Sequence, residues 1–489
     1  MKGWSKTVAK VLVGLGVLLL ASLTACGGQE PSTIMVDSPG DSESRDGVVT
    51  LREAILLTTG QLALAELDSE EADNVRGAPS AESSDSIRFD ELIFPLSEPA
   101  TISLDSSLPS LTGGNDVVDG LGRGVIVDGG GRDFDCFLIE SSSNTIRGLQ
   151  ILRCRTAVVI DTEGENNTVG GAEASEGNVL SGNSAVGVEI RGASNVVKGN
   201  RIGTDASGTA ALPNAFEGVW IAPGAKDNVI GGPTAGERNV ISGNALFGLS
   251  ISGSDATGNV IQGNYIGVDV SGRVALANRH GIAISVGPQN NVIGGTTAGD
   301  ANVISANGTG ILIRGADTAG NVIQGNYIGT DDGGRHPLGN AVGVWILEGA
   351  HDNLVGGTDP GQGNVISGNN LFGVQVEGAQ TARNGVRGNS IYANSHQGIR
   401  NTDGGNSGLK PPTITDTEPL TGTACPNCLV DVYSDSADEG ESYGGAVVAS
   451  ADGTFTFSGS LSGTYATATA TDSDGNTSEF SRPSPALPR

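Results

Sequence analysis

Among the side chains able to do chemistry, the recurring acids come first. Asp205, Asp269 and Asp331 each close one copy of the phrase Gly-Asn-x-Ile-Gly-x-Asp. They are candidate calcium ligands, but calcium needs its oxygens at about 2.3–2.6 Å. Residues repeated in alternate coils of a stack lie about 10 Å apart, so the three cannot share one ion. The competing expectation is a turn-forming aspartate. The four histidines, His280, His336, His351 and His396, form no metal-type pair and fall in different phases of the repeat, which predicts surface or loop positions. Asp331-Asp332 is an adjacent pair; neighbours on a strand point to opposite faces, so adjacency alone does not make an acid/base couple. Trp220 and Trp345 are two of only three tryptophans. An indole offers an apolar face and an N–H donor, which suits stacking on sugar rings. No motif demands a cofactor; calcium is the one ion the pattern would admit.

The chain end carries an address. Lys2, Lys6 and Lys10 precede a short apolar run over residues 11–21, too short for a spanning helix. Residues 23–26, Leu-Thr-Ala-Cys, resemble the bacterial lipobox. That resemblance implies a signal peptide over 1–25, lipidation at Cys26, and a protein exported to the cell envelope or surface and held to a membrane by acyl chains. Export implies an oxidising setting, so Cys136, Cys154, Cys425 and Cys428 are disulfide candidates. The C-x-x-C pair Cys425 and Cys428 lacks a βαβ setting and reads as a structural staple rather than a redox centre.

These groups must be positioned by a repeat. Asn178, Asn239, Asn302 and Asn364 begin one recurring phrase at steps of 61 to 63 residues. A shorter phrase, small-x-x-aliphatic, starts at Ala157, Gly187, Gly218, Gly248, Gly281, Gly310, Gly343 and Gly373, with a fainter copy at Gly398. Each unit of about 30 residues holds three short apolar strands punctuated by Gly and Asn, which tolerate positive φ at corners. Three strands with sharp corners make one triangular coil, and stacked coils pair like strands in parallel. Recurrent Asn can then form hydrogen-bonded ladders. Glycine every few residues excludes helical solenoids. A propeller fits less well, because its blades run about 40 residues.

Residues 157–400 resemble the right-handed parallel β-helix repeats of the pectate-lyase-like superfamily, and residues 51–55, Leu-Arg-Glu-Ala-Ile, resemble the segment that precedes many such repeats. The resemblance implies an all-β fold, a β-helix of about ten coils. It does not imply one function, since lyases, hydrolases, epimerases, adhesins and spacers share the fold. The Gly-His-Gly and Asp-Pro-His phrases of hydrolases and epimerases are missing.

The expected organisation follows. Residues 26–49 hold a tether and first strand, 50–60 a capping helix with Thr50 and Glu53 as a capping box, and 61–86 an acidic, loose insertion. Irregular first coils run over 87–156 and regular ones over 157–409. A small Ig-like β-sandwich over 410–482 and a tail over 483–489 complete the chain.

In the short phrase, positions two and four point inward and position three outward. Position three reads Glu189, Trp220, Ser250, Ala283, Leu312, Trp345 and Gln375. Both tryptophans therefore fall in one outward column, four coils or about 19 Å apart. The alternative places each indole beneath a neighbouring long loop. With 55 acidic against 27 basic residues and a net charge of −28, the chain is a poor nucleic-acid ligand. The sequence thus points to a monomeric, lipid-anchored surface protein that binds a polysaccharide or cell-surface glycan without catalysis. A polysaccharide lyase, hydrolase or epimerase and a passive stalk are the alternatives.

Overall fold

A computed structural model describes residues 31–484. The expected signal peptide, the lipobox-like residues with Cys26, and the end of the expected tail lie outside the described residues. Three long sheets of ten, eleven and thirteen strands run the length of the repeat; their strands pair in parallel with their equivalents in the coils above and below, save one antiparallel edge strand of the thirteen-stranded sheet. Successive strands visit the three sheets in turn, giving a right-handed parallel β-helix. The inward Val, Ile and Leu of all three sheets form one continuous core.

Each corner between strands is tied by asparagine. Along one ladder, Asn195 donates from its backbone N–H (2.8 Å) and its Nδ2 (3.1 Å) to Asn228 Oδ1 in the next coil, and Asn228 repeats the pattern on Asn259. Two further ladders run through Asn178–Asn389 and Asn183–Asn394, all fully or nearly fully buried. In this way each coil satisfies amides that would otherwise be orphaned in the core. The glycine opening each short phrase has a steric cause. A Cβ on Gly218 would lie 2.6 Å from the Gly248 carbonyl oxygen, and one on Gly310 would lie 2.5 Å from that of Gly343.

The two ends are closed differently. Helix Leu51–Thr58 packs on the first strands, with Thr50 and Glu53 closing a reciprocal capping box. Residues 61–86 depart from the expected loose insertion. They contain helix Ser69–Asp73, capped by Asp68, and strand Val75–Arg76, which pairs antiparallel with Ser32–Val36 and closes the sheet edge. The physical reason is Glu71: its buried carboxylate accepts from Arg45 and from the Asp46 and Asp68 backbones. Composition alone undervalues such a specific buried partner.

At the other end, Thr413–Thr417, Leu420–Thr423 and Thr454–Phe457 form one antiparallel sheet, and Leu429–Asp435, Ser442–Val448 and Tyr465–Thr471 another. The two sheets enclose their own small core. This module sits on the last coil. Glu439 accepts the backbone N–H (3.1 Å) and Nδ2 (3.0 Å) of Asn394, ending that ladder, and Asn406 of another ladder donates to the Thr477 carbonyl. Arg387 grips the fully buried Asp431 through two hydrogen bonds of 2.7 and 2.8 Å. The sulfurs pair Cys136 with Cys154 and Cys425 with Cys428, with Cα atoms 5.7 and 5.4 Å apart.

Candidate functional site

The ten-stranded sheet presents its outer face as a shallow, ordered surface. Strand Glu217–Ile221 buries Val219 and Ile221 and leaves Trp220 partly exposed; strand Val342–Leu347 treats Val344, Ile346 and Trp345 alike. The register runs Glu189, Trp220, Ser250, Ala283, Leu312, Trp345, Gln375 and Arg400 as direct partners. The two tryptophans therefore share one column with four strand steps between their strands. The residues between them are small or buried, which leaves the rings as the relief of the face.

Both indoles are oriented by the following coil. Trp220 Nε1 donates to Ser252 Oγ at 2.7 Å, and Trp345 Nε1 donates to Glu377 Oε2 at 3.1 Å. Fixing the N–H fixes the ring plane, so each ring is held before any ligand arrives.

A second column on this face escaped sequence reasoning. Glu217, Phe247, His280, Thr309 and Val342 are successive partners, one position before the glycine of each phrase. His280 thus lies in a strand and not in a loop, partly exposed, and its ring stacks on Phe247 with centroids 5.3 Å apart. The signal was its phase, which equals that of Glu217 and Phe247. Burial, assisted by the Arg279 and Arg314 charges, holds the His280 imidazole below its ordinary value. Burial, assisted by the Glu189 carboxylate, holds the Glu217 carboxyl above its own. Two groups shifted toward neutrality on one face mark it as chemically distinct. Ser250 Oγ and His280 Nδ1 are buried and have no hydrogen-bond partner among the described residues.

The three aspartates have a different setting. Asp269 Oδ1 accepts from Ser271, Arg273 and Val274 backbone N–H groups and from the Ser271 hydroxyl. Asp205 and Asp331 organise the equivalent loops through Thr209 and Ala210, and through Gly333, Arg335 and His336. Against the opposing effect of burial, those N–H groups and the His336 ring pull the Asp331 carboxyl down to about 2. Each carboxylate thus ties its own turn, and one of its oxygens is filled by the chain around it. Among the described residues, no three His, Cys, Asp or Glu side chains converge as a metal cage would require.

No protein-family model matches the sequence, and no curated protein does either. Solved structures do. The pectate lyase Pel9A matches over 76% of this chain and 78% of its own, at 13% identity and a TM-score of 0.30. An alginate lyase from Paenibacillus sp. str. FPU-7 matches over 65% of this chain and 92% of its own, at 12% identity and a TM-score of 0.30. Tailspike protein 2 of an Escherichia coli O157:H7 bacteriophage matches over 83% of this chain and 65% of its own, at 10% identity and a TM-score of 0.27. The architecture itself rests on the chain's own three parallel sheets, which make it a right-handed parallel β-helix.

Proposed function

We propose that this protein is an exported, lipid-anchored β-helix that holds an extended glycan along the outer face of its ten-stranded sheet. The observation that carries the reading is the shared column of Trp220 and Trp345, each with its indole N–H already bonded to the next coil. A spacing of about 19 Å at the strand repeat spans several sugar rings of an extended chain. Preset aromatic platforms bind sugars at little conformational cost. Attachment is through acyl chains on Cys26, and the acting unit is a monomer without a nucleic-acid partner. Calcium is not needed for this mode of binding.

The test uses the full chain on a glycan array, with product release followed by mass spectrometry. Trp220→Ala/Trp345→Ala is expected to lose glycan binding at least tenfold while unfolding at the same denaturant concentration as wild type. Equal binding by the double variant would remove the aromatic track. Cys26→Ser is expected to release the protein from membranes.

One observation favours a second reading, catalysis on the same face. Glu217 and His280 are both shifted toward their neutral forms beside the tryptophan column. Shortened or unsaturated products that disappear in Glu217→Gln would establish it. Binding without products would leave the face a binding surface.

A further inference from the structure

Leu92-Ile93-Phe94-Pro95-Leu96 is an unbroken apolar run in a chain of net charge −28. It lies in the loop that leads from strand Asp85–Phe89 of the thirteen-stranded sheet to strand Ala100–Ser103 of the eleven-stranded sheet. Phe94 alone of the five is buried, its ring edge-on to Phe89 with centroids 5.2 Å apart. Leu92 and Leu96 stand 85% and 68% exposed, and Ile93 is exposed as well. Leu121, on the equivalent turn of the next coil, is exposed beside them.

The loop is held in this shape. Asp90 Oδ1 accepts the Leu92 N–H at 2.7 Å, and the Asp90 carbonyl accepts that of Phe94 at 2.9 Å. From the neighbouring turn, Arg123 Nε donates to the Phe89 carbonyl at 3.1 Å and its guanidinium pairs with Glu91 at 3.3 Å. The Gly124 N–H donates to the Phe94 carbonyl at 3.2 Å. A fixed backbone therefore presents four large apolar side chains together to solvent, which marks an interaction surface.

The position of the patch says what covers it. The Asp90 N–H donates to the Val36 carbonyl at 2.9 Å, so the loop adjoins the far end of the first strand, Ser32–Val36. That strand is about 13 Å long. The six residue steps from Cys26 to Ser32 reach at most about 20 Å. Acyl chains on Cys26 would thus hold a bilayer within reach of the loop. Four side chains fall short of the roughly 800 Å² per partner that a stable protein pair buries. They suffice as a second membrane contact beside acyl chains. The corner between the thirteen- and eleven-stranded sheets also lies opposite the ten-stranded sheet in the triangular coil.

We propose that Leu92, Ile93, Leu96 and Leu121 dip into the headgroup region of the bilayer that holds the Cys26 acyl chains, turning the ten-stranded face away from the lipid. The proposal rests on acylation at Cys26. Exposed Glu91 and Glu98 beside the patch favour a zwitterionic surface over an anionic one.

The test uses the full chain, acylated during export and reconstituted in phosphatidylcholine vesicles, with flotation to read attachment. Bromine-labelled acyl chains quench an indole that touches them. Wild type, left with Trp220 and Trp345 once residues 1–25 are removed, is expected to float and to keep its emission. In Leu96→Trp the added indole is expected to be quenched at least twofold, and Leu92→Glu in the same chain is expected to restore its emission. Both positions are exposed, so all variants should unfold at the wild-type denaturant concentration. A chain that floats with the added indole unquenched would overturn the docking surface and leave the anchor standing. A chain that does not float would remove the anchor and the docking surface with it. Quenching of the wild-type indoles would overturn the orientation. An unquenched indole together with a dimer that Leu92→Glu converts to monomer in sedimentation would assign the patch to a second copy of the chain instead.

Discussion

Removing a single ladder amide, by Asn278→Ala, should cost far more than its size suggests. Asn278 Oδ1 accepts from the Asn244 backbone N–H at 2.9 Å and from Asn244 Nδ2 at 3.1 Å. Its own Nδ2 donates to the Ile241 carbonyl at 3.0 Å and to Asn307 Oδ1 at 3.1 Å. Alanine keeps the backbone bond to Asn307 but leaves the buried Asn244 N–H without a partner; the Asn244 amide loses one of two partners and keeps the Ile202 carbonyl, and the Ile241 carbonyl loses one of two and keeps the Gly267 N–H. The buried orphan costs about 1–3 kcal/mol and each of the two other lost bonds about 0.5–1.5 kcal/mol, so the expected loss is about 2–6 kcal/mol. Contacts in a solenoid reach only neighbouring coils, so the loss is local at first. The assay pairs urea unfolding with hydrogen exchange, in which the Asn244 and Asn307 amides should exchange much faster while those near Asn144 keep their protection. The double variant Asn278→Ala/Asn307→Ala should lose less than the sum of the single losses, because the two residues share a bond. A loss under about 1 kcal/mol in Asn278→Ala would refute the view that the ladders hold the corners, since one buried orphan alone should cost at least that much.

Three further outcomes are expected. Asp116 stands at the head of a ladder, donates its backbone N–H to Asn144, and has a fully buried carboxyl without a well-formed hydrogen bond; burial and the neighbouring Asp85 push it up to about 7 against a weaker downward pull from the Thr58 hydroxyl and the Asp85 backbone. A folded value above the unfolded one gives stability present below about pH 4 and lost as pH rises through about 7, on the order of a few kcal/mol. Wild type should therefore unfold more readily at pH 8 than at pH 5, and Asp116→Asn should flatten that slope; an unchanged slope would count against the assignment. Arg387→Ala leaves buried Asp431 without its cation, so the terminal module should loosen from the last coil at a cost of about 3–5 kcal/mol, read as protease sensitivity near residue 410. Resistance equal to wild type would show that the ion pair does not hold the module. Replacing Cys136 and Cys154 by alanine opens a short covalent loop and should cost about 3 kcal/mol, confined to the first coils; denaturation curves that superimpose on wild type would show the bridge to be dispensable.

Much of the architecture was legible because a repeat states its own geometry. The period of the small-x-x-aliphatic phrase defines the coil, and its internal alternation defines inside and outside. That placed Trp220 and Trp345 in one column before any coordinates, since register in a parallel stack follows from equivalent phase. The capping box at Thr50 and Glu53 was equally local, needing only residues three apart. Glu217 and His280 were less visible for a simple reason. Their common phase is plain in the sequence, but their departure from ordinary ionisation comes from burial and from charges that stacking brings in from neighbouring coils, Arg314 for His280 and Glu189 for Glu217.

What only the tertiary structure decided are contacts between segments without shared periodicity. The acidic stretch 61–86 is ordered by Arg45, which lies on the other side of the capping helix. The C-terminal module closes the stack through Glu439, Thr477 and Asp431, none of which carries any mark of the repeat. A repeat dictates how a unit stacks on its copy, because the copy is the partner. Where the partner is a different segment, its identity depends on which surfaces folding brings together, and the sequence alone determined only that both segments were there.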